Sequence, residues 1–365
     1  MQESNKFFLD SKKPFLNEKL LTNQEILTAK NYFLGNPNAN RLPKKVSRFK
    51  FTVIKLEDTL YAIYSGKEGK ALKAVGRKKV KLMQNLHTGE RAIIKIIMLP
   101  SESDPDYTEY LGHVENEVRM SALLEKGLGY IKWQKEAIDN QPGQEKHGIG
   151  IKLEPGISLD HFIKDHLKKF SLAQRFEISI HILKAVQQMH QENIIHRDIK
   201  PGNIMIKVIE GRISIKIIDY EVALKEDEIA QLKTETCSRV GAFGYMAPEI
   251  LIAVKKDKLE YYFYTKKSDI YATGITLSHL FYVTPDETSI VEEHILVPMC
   301  DGVVSRRLSL EAVIKNFELL KNQYAEKEAM NESELTPLIG DNSSNFFYSL
   351  HNDNKPVCFN CCNVM

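Results

Sequence analysis

The sequence predicts an α+β fold with two parts, a small strand-rich part followed by a larger helical one. In the first part, short stretches rich in Val, Ile, Tyr and Phe are separated by polar turns, which is typical of strands. In the second part, apolar residues recur every three to four positions, which is typical of helices. The chain of 365 residues is 43% hydrophobic, which is enough to bury a large core.

Two hairpins and one helix are predicted in the strand-rich part. The first hairpin turns at Glu57-Asp58 and the second at residues 87–90. The predicted bounds are residues 51–54, 60–64, 80–84 and 91–98 for the strands, 109–124 for the helix, and 149–153 for a further strand that leads to Pro155-Gly156.

Three serines are predicted to begin helices in the second part, because a serine hydroxyl caps the first amides of a helix. These are Ser171, Ser268 and Ser309, each followed by apolar residues at helical spacing. Two short strands are predicted over residues 204–208 and 213–218.

The two ends of the chain are expected to lie outside this core. Residues 1–49 are polar and predict an N-terminal extension with one helix near residues 23–33. Residues 50–325 carry the strand and helix patterns and form the predicted central domain. Residues 326–365 are acidic, then rich in Asn and Ser, and predict a flexible tail.

Composition excludes several classes of protein. A net charge of +2 gives no basis for binding nucleic acid, and no run of 18 apolar residues predicts a membrane span. The charged first thirty residues do not fit a signal peptide, and Gln2 does not fit N-myristoylation. Five cysteines, three of them in the last eight residues, do not make a disulfide framework and favour a reducing compartment.

One motif carries the most chemical information. Residues 196–203 read His-Arg-Asp-Ile-Lys-Pro-Gly-Asn, which matches the H-R-D-x-K-x-x-N pattern of a phosphotransferase catalytic loop. From about residue 50 to residue 325 the chain resembles the protein kinase family, serine/threonine type. The resemblance implies a two-lobed fold, ATP and Mg²⁺ as cofactors, and a protein as substrate.

The resemblance implies a role for each polar residue of this loop. Asp198 corresponds to the carboxylate that takes or orients the proton of the attacking hydroxyl, and Lys200 to the cation that neutralises the moving phosphoryl group. Asn203 and Asp219, which stands at the Asp of D-F-G, correspond to the Mg²⁺ ligands. A structural reading, with Asp198 in a turn and Asp219 at a strand end, is much less favoured because both occur in family order.

The nucleotide would be held by two further segments. Lys95, in Arg-Ala-Ile-Ile-Lys, corresponds to the lysine that holds the α- and β-phosphates, paired with Glu117 of the following helix; Glu115 is the alternative partner. The hinge between the lobes corresponds to residues 151–154. Its adenine-binding groups would come from Ile151, Lys152 and Glu154.

The region after Asp219 resembles a protein-kinase activation segment, which favours a protein substrate. Glu249, in Gly-Tyr-Met-Ala-Pro-Glu, is expected to pair with Arg307, or else with Arg306. Asp269 is expected to bond the amides of the catalytic loop. Arg197 suggests control by a phosphate on this segment, for which the candidates are Thr234, Thr236 and Ser238.

Three departures from the family pattern leave room for weak activity, an activating partner or a pseudokinase. Lys73, Val75 and Lys78 stand where the family has the glycines that let the backbone approach phosphates. Glu221 replaces the Gly of D-F-G. Ala242 replaces the usual Thr beside the catalytic Asp.

The last four residues, beginning at Cys362, fit a C-a-a-X prenylation box, and Cys361 and Cys358 are candidates for palmitate. Such a tail predicts a tether to the cytoplasmic face of a eukaryotic membrane; a metal-binding or inert tail is the alternative. The divergent core with an acidic stretch also resembles kinase effectors that bacteria inject into host cells.

The leading hypothesis is therefore an ATP- and Mg²⁺-dependent serine/threonine protein kinase. The alternatives are a pseudokinase scaffold and a kinase-fold transferase with a non-protein acceptor.

Overall fold

A computed structural model describes the larger part of the chain. The described residues are 22–39, 41–43, 51–64, 73–134, 145–231, 240–252, 254–256, 259–261, 264–281 and 291–335. The chain forms one compact unit up to Lys321, and a second unit begins at Asn322. Among the described helices, none has the length and apolar character needed to cross a bilayer.

The first part of the chain is a seven-stranded antiparallel sheet with two helices. The strands pair in the order β1-β2-β4-β5-β7-β6, and β3 pairs with β4 beyond the end of β2. The bounds are α1 Asn23–Gly35, β1 Phe51–Leu56, β2 Thr59–Tyr64, β3 Lys73–Val75, β4 Lys78–Asn85, β5 Arg91–Met98, α2 Tyr107–Leu123, β6 Gly127–Gln134 and β7 Glu145–Lys152.

The two predicted hairpins are confirmed, while β3 and β6 were not predicted. β4 begins two residues earlier than expected, because Lys78 pairs with Val75 across a two-residue turn. Gly76 takes the first turn position with a φ of +54°, as the tight turns that join antiparallel strands require. The positions at which the family has glycines, Lys73, Val75 and Lys78, therefore lie in the paired strands of a hairpin.

The sheet curls, so that β1 approaches β6 and the two faces bury separate cores. Inside the curl, the apolar residues are Ile54, Leu56, Tyr61, Ile63, Met83, Ala92, Ile94 and Ile131. On the outer side, α1 covers β1 and β2, where Phe33 and Ala29 pack against Val53 and Ala62. Neighbouring residues of one strand face opposite sides, which is why Val53 joins one core and Ile54 the other.

The second part is mainly helical and carries short strands at the junction with the first. The bounds are β8 Ile157–Ser158, α3 Leu159–Asp165, α4 Leu172–Gln191, β9 Ile194–Ile195, β10 Ile204–Ile209, β11 Arg212–Ile217, β12 Leu224–Lys225, α5 Glu226–Gln231, α6 Pro248–Leu251, β13 Val254–Lys256, β14 Leu259–Tyr261, α7 Lys266–Phe281, a π turn Glu292–Leu296, a helical turn Val297–Met299, and a last helix Leu310–Leu335.

Two of the three predicted helix caps are confirmed. Ser171 accepts the amide of Gln174 and Ser309 accepts the amide of Ala312, each ahead of its helix. The prediction for Ser268 was wrong: α7 begins at Lys266, and the Ser268 hydroxyl instead accepts the amide of Thr265.

Helix α2 lies on the face of the sheet that carries the site. Val114 and its neighbours pack with Ile97, Leu99, Ile149 and Ile151 of the sheet. This packing fixes the position of α2 against β5, and with it the side chains that α2 directs towards the sheet.

The packing of α1 can be tested with two adjacent residues. Phe33 is 7% exposed in the α1 core, whereas Leu34 is 80% exposed. Phe33→Ala should lower the free energy of unfolding by about 3 kcal/mol, since it removes buried apolar volume. Leu34→Ala should change it by less than about 0.5 kcal/mol. Chemical denaturation measures both, and equal effects would contradict the packing of α1.

Candidate active site

The ammonium of Lys95 lies between two carboxylates from different parts of the fold. Its Nζ is 2.7 Å from Oε1 of Glu117 in α2 and 2.6 Å from Oδ1 of Asp219, which follows β11. Glu115, the alternative partner, lies exposed on α2. Burial opposes the charge on Lys95, but the carboxylates of Asp219, Glu117 and Glu221 outweigh it and raise the lysine pKa.

Local structure explains why these groups meet. In β5, Ile94 faces the interior of the curl, so its neighbour Lys95 faces α2. On α2, Val114 and Glu117 are both buried and lie three residues apart, which places them on the face turned to the sheet. Burial raises the pKa of the Glu117 carboxyl, and the adjacent Lys95 counteracts this.

The carboxylate of Asp198 is held by three donors. Its Oδ1 accepts the backbone amide of Ala242 at 2.8 Å. Its Oδ2 accepts the ammonium of Lys200 at 2.5 Å and the side-chain amide of Asn203 at 2.9 Å. A carboxylate with this many partners has a fixed orientation, which is what a group that aligns a hydroxyl requires.

A glycine allows the activation segment to approach the catalytic loop. Gly241 has a φ of +106°, and a Cβ added there would lie 2.4 Å from the carbonyl oxygen of Arg197. Only glycine tolerates this approach. The approach brings the next residue, Ala242, within hydrogen-bond distance, so its backbone amide donates to Asp198, which the missing Thr hydroxyl was expected to contact.

Asp269 of α7 fixes the backbone of the catalytic loop. It is 1% exposed, and it accepts the backbone amides of His196 and Arg197 at 2.8 and 3.0 Å, as expected from the sequence. It also contacts the ring of His190 at 2.9 Å. Arg197 takes a positive φ of 66°, a strained conformation that these bonds help to hold.

The fully buried ring of His196 connects the catalytic loop with the strand before Asp219. Its Nδ1 accepts the amide of Asp198 at 3.3 Å, so its Nε2 carries the proton and donates to the carbonyl of Ile218 at 3.1 Å. The ring also lies 5.0 Å from that of Tyr220. Burial lowers the His196 pKa, and the nearby carboxylates only partly oppose this.

The residues present fit a magnesium ion. The Asn203 side chain is fully buried and donates its amide to the carbonyl and carboxylate of Asp198, which directs Oδ1 away from them. Among the described residues, this Oδ1 has no hydrogen-bond partner. The backbone amide of Ile218 donates to the backbone carbonyl of Asn203, which fixes the chain one residue before Asp219. An amide oxygen and a carboxylate are ligands that Mg²⁺ accepts.

The expected hinge is tied to the end of β11 by Lys126. The Lys126 ammonium contacts the Glu154 carboxylate at 3.2 Å and the Ile217 carbonyl at 3.1 Å. The Lys126 carbonyl accepts the amide of Lys152 at 2.9 Å, so this amide of the expected hinge already has a partner. The side chain of Ile151 is buried in the core beneath α2.

The activation segment is anchored at its end and at its start. At its end, Glu249 forms a bidentate pair with the buried Arg307 at 2.6 and 2.7 Å, so Arg307 rather than Arg306 is the partner. Near its start, Nε of Arg197 donates to the Val222 carbonyl, and the guanidinium lies 5.0 Å from the Tyr264 ring. The three candidate phosphorylation sites, Thr234, Thr236 and Ser238, lie outside the described residues, as do Cys358, Cys361 and Cys362.

Two residues of α2 that sequence reasoning missed also hold the activation segment. Asn116 donates to the backbone carbonyls of Glu221 and Ala223 at 2.9 and 2.8 Å. Arg119 forms a bidentate pair with Glu228 of α5 at 2.5 and 3.2 Å. Nothing in the sequence marks them, because polar residues on a helix usually face solvent.

Comparison with known proteins agrees with this geometry. A family model for the protein kinase domain matches residues 75–334. The chain therefore belongs to the protein kinase family, and the predicted α+β fold with a β-rich part followed by a helical part is confirmed. The predicted domain bounds at residues 50 and 325 stay predictions.

Several curated protein kinases are similar to this chain. Serine/threonine-protein kinase 10 of Danio rerio is 27% identical over 281 residues, which cover 76% of this chain and 26% of the relative. Cysteine-rich receptor-like protein kinase 24 of Arabidopsis thaliana is 34% identical over 173 residues, 45% of this chain and 24% of the relative. Probable serine/threonine-protein kinase PknB of Corynebacterium glutamicum is 32% identical over 192 residues, 53% and 27% respectively. The chain thus spans about a quarter of the length of these relatives.

The neutral, buried state of His196 predicts a pH-dependent stability. In the folded protein the pKa of His196 is lowered from its ordinary value of 6.5. On acidification, His196 therefore becomes protonated in the unfolded chain before it does in the folded one. The free energy of unfolding should therefore fall as the pH drops below about 6.5. Relative to wild type, His196→Phe should be less stable at pH 7.5 but lose stability less steeply towards pH 5, by up to about 1.4 kcal/mol per pH unit. Urea denaturation across this range measures both slopes, and identical slopes would contradict a neutral His196.

Proposed function

We propose that this protein is an ATP- and Mg²⁺-dependent protein kinase that phosphorylates serine or threonine. The observation that carries the proposal is the joint arrangement of Lys95 between Glu117 and Asp219, and of Asp198 beside Lys200. Membership in the family and the serine/threonine kinases among the relatives support the same activity.

In this proposal each residue has one task. Lys95 binds the α- and β-phosphates, and Glu117 holds its ammonium in place. Asp219 and Asn203 would hold Mg²⁺, which would neutralise charge on the phosphates. Asp198 orients the substrate hydroxyl and accepts its proton, while Lys200 stabilises the charge on the transferred group.

The hinge and the activation segment complete the proposed site. The carbonyl of Lys152 and the backbone at Glu154 contact adenine, next to Ile151, whose side chain lies in the core beneath α2. The activation segment holds a protein substrate, because Gly241 brings it against the catalytic loop and Arg307 anchors its end.

A pseudokinase scaffold is the second candidate. Lys73, Val75 and Lys78 stand where the family has glycines, which favours this reading because glycines let the backbone approach phosphates. The two candidates differ in nucleotide binding: a kinase is stabilised by Mg·ATP in a thermal-shift measurement, whereas a scaffold that binds no nucleotide is not. A kinase-fold transferase with a non-protein acceptor is the third candidate. Incubation with ATP labelled in its γ-phosphate distinguishes it, because the labelled product is then not a protein.

We further propose that the tail tethers the protein to a membrane. Cys362 would carry a prenyl group and Cys361 or Cys358 a palmitoyl group, since a single prenyl chain binds a membrane weakly. The site of action would then be the cytoplasmic face of a eukaryotic membrane, reached by secretion if the protein is a bacterial effector. An activating protein or ligand would be a further partner. Without lipidation the protein would act in the cytoplasm.

The catalytic proposal predicts a specific loss of transfer in Asp198→Asn. Phosphoryl transfer from Mg·ATP to casein should fall by about 10²- to 10⁴-fold, because the variant cannot accept the hydroxyl proton. The affinity for Mg·ATP, measured by calorimetry, should change little. Asp58→Asn, at a fully exposed aspartate in the first hairpin turn, is the matched control and should retain wild-type transfer. Undiminished transfer by the Asp198 variant would refute its assigned role.

The tether predicts a change of location. In eukaryotic cells, Cys362→Ser should move most of the protein from the membrane fraction to the soluble fraction, because it removes the prenylation site. Cys300→Ser, at a cysteine within the folded region, serves as the control and should stay with the membrane. Equal fractionation of both variants would argue against prenylation.

A further inference from the structure

Two departures from the family pattern contact each other. Lys78 stands at the third glycine position of the phosphate loop, and Glu221 stands at the Gly of D-F-G. In the structure, the Lys78 ammonium lies 2.7 Å from Oε1 of Glu221, although the two residues are 143 positions apart.

Strand register directs Lys78 to the side of the sheet that carries the site. Val80 of β4 pairs with Lys95 of β5, and Lys78 pairs with Ile97. Residues two apart on a strand face the same side, so Lys78 and Lys95 point to the same face. The Lys78 ammonium also lies 5.9 Å from the ring of Tyr110 in α2. Lys78 therefore touches the hairpin, α2 and the activation segment together.

Glu221 adds a negative charge where the proposed function needs phosphates. Oxygen atoms of Glu117, Asp219 and Glu221 lie within 4.8 Å of one another. Lys95 balances only one of these three carboxylates. An unbalanced carboxylate beside the proposed phosphate site would repel a nucleotide, because like charges interact more strongly in a partly buried site than in water.

Other cations near Glu221 do not balance it. Lys95 is held by Glu117 and Asp219. The ring of His113 on α2 lies close by, but burial lowers its pKa, and Lys78 lowers it further against the opposing effects of Glu221 and Glu109. Lys78 is the cation within ion-pair distance of Glu221 among the described residues.

We propose that Lys78 is a positioning residue of the nucleotide site, which neutralises Glu221 and holds its carboxylate away from the phosphates of Mg·ATP. The two departures from the family pattern then compensate each other, and the hairpin is compatible with nucleotide binding. This inference rests on the proposed function. It assigns Lys78 no direct contact with the phosphates, and it makes the need for Lys78 conditional on the charge of Glu221.

The test compares single and double variants by their Kd for Mg·ATP and by their rate of transfer to casein at saturating ATP. Lys78→Met should raise the Kd about tenfold and change the saturated rate less than about threefold, since the chemical groups stay in place. Lys78→Arg should bind like wild type, because it retains the charge. Glu221→Gln should also bind like wild type, within about threefold.

The double variant Lys78→Met/Glu221→Gln decides the question. It should return the Kd to within about threefold of wild type, because no charge is left to neutralise. Lys79→Met, at an exposed lysine on the opposite face of the same strand, is the matched control and should have no effect. A thermal melt of each variant confirms that it is folded.

Two results would overturn the inference while leaving the proposed function intact. One is a double variant that binds as weakly as Lys78→Met, which would mean that Lys78 contacts the phosphates itself. The other is a Lys78→Met variant with an unchanged Kd. A wild-type protein that neither binds Mg·ATP nor transfers phosphate would instead contradict the proposed function, and this inference with it.

Discussion

The buried contact of Lys95 with Glu117 and Asp219 is the interaction on which the site depends. It joins three elements that are distant in sequence: strand β5, helix α2 and the start of the activation segment. Removing one member of such a buried group leaves an uncompensated charge, which is strongly unfavourable. The ammonium that joins these three elements therefore has a fixed position.

Near this contact, one backbone amide and one side-chain amide hold the activation segment in place. The amide of Ala242 meets Asp198 in place of a hydroxyl, and this is possible because Gly241 lets the two segments approach. Asn116 holds the backbone carbonyls after Asp219 and thereby fixes α2 against the activation segment. The chain thus keeps an ordered site although several motif positions have changed.

The sequence predicted the parts of the fold whose signals are local. Strand-like stretches around polar turns identified the first hairpins, and Ser171 as a cap identified the start of α4. The order of the motifs predicted Lys95, Asp198, Asn203 and Asp219 as site residues. In the structure Lys95 contacts Asp219, and Asn203 contacts Asp198.

Contacts between distant segments were not predictable, because no single segment carries their signal. Lys78 was noted as a missing glycine, yet its partner Glu221 lies 143 positions away. Strand β6 has a mixed pattern, and α7 begins two residues before its expected cap.

The most direct test of the central claim is a crystal structure with Mg²⁺ and a non-hydrolysable ATP analogue. We expect Lys95 at the α- and β-phosphates and a metal ion about 2.1 Å from oxygens of Asp219 and Asn203; a nucleotide bound away from Lys95, or none bound, would contradict it.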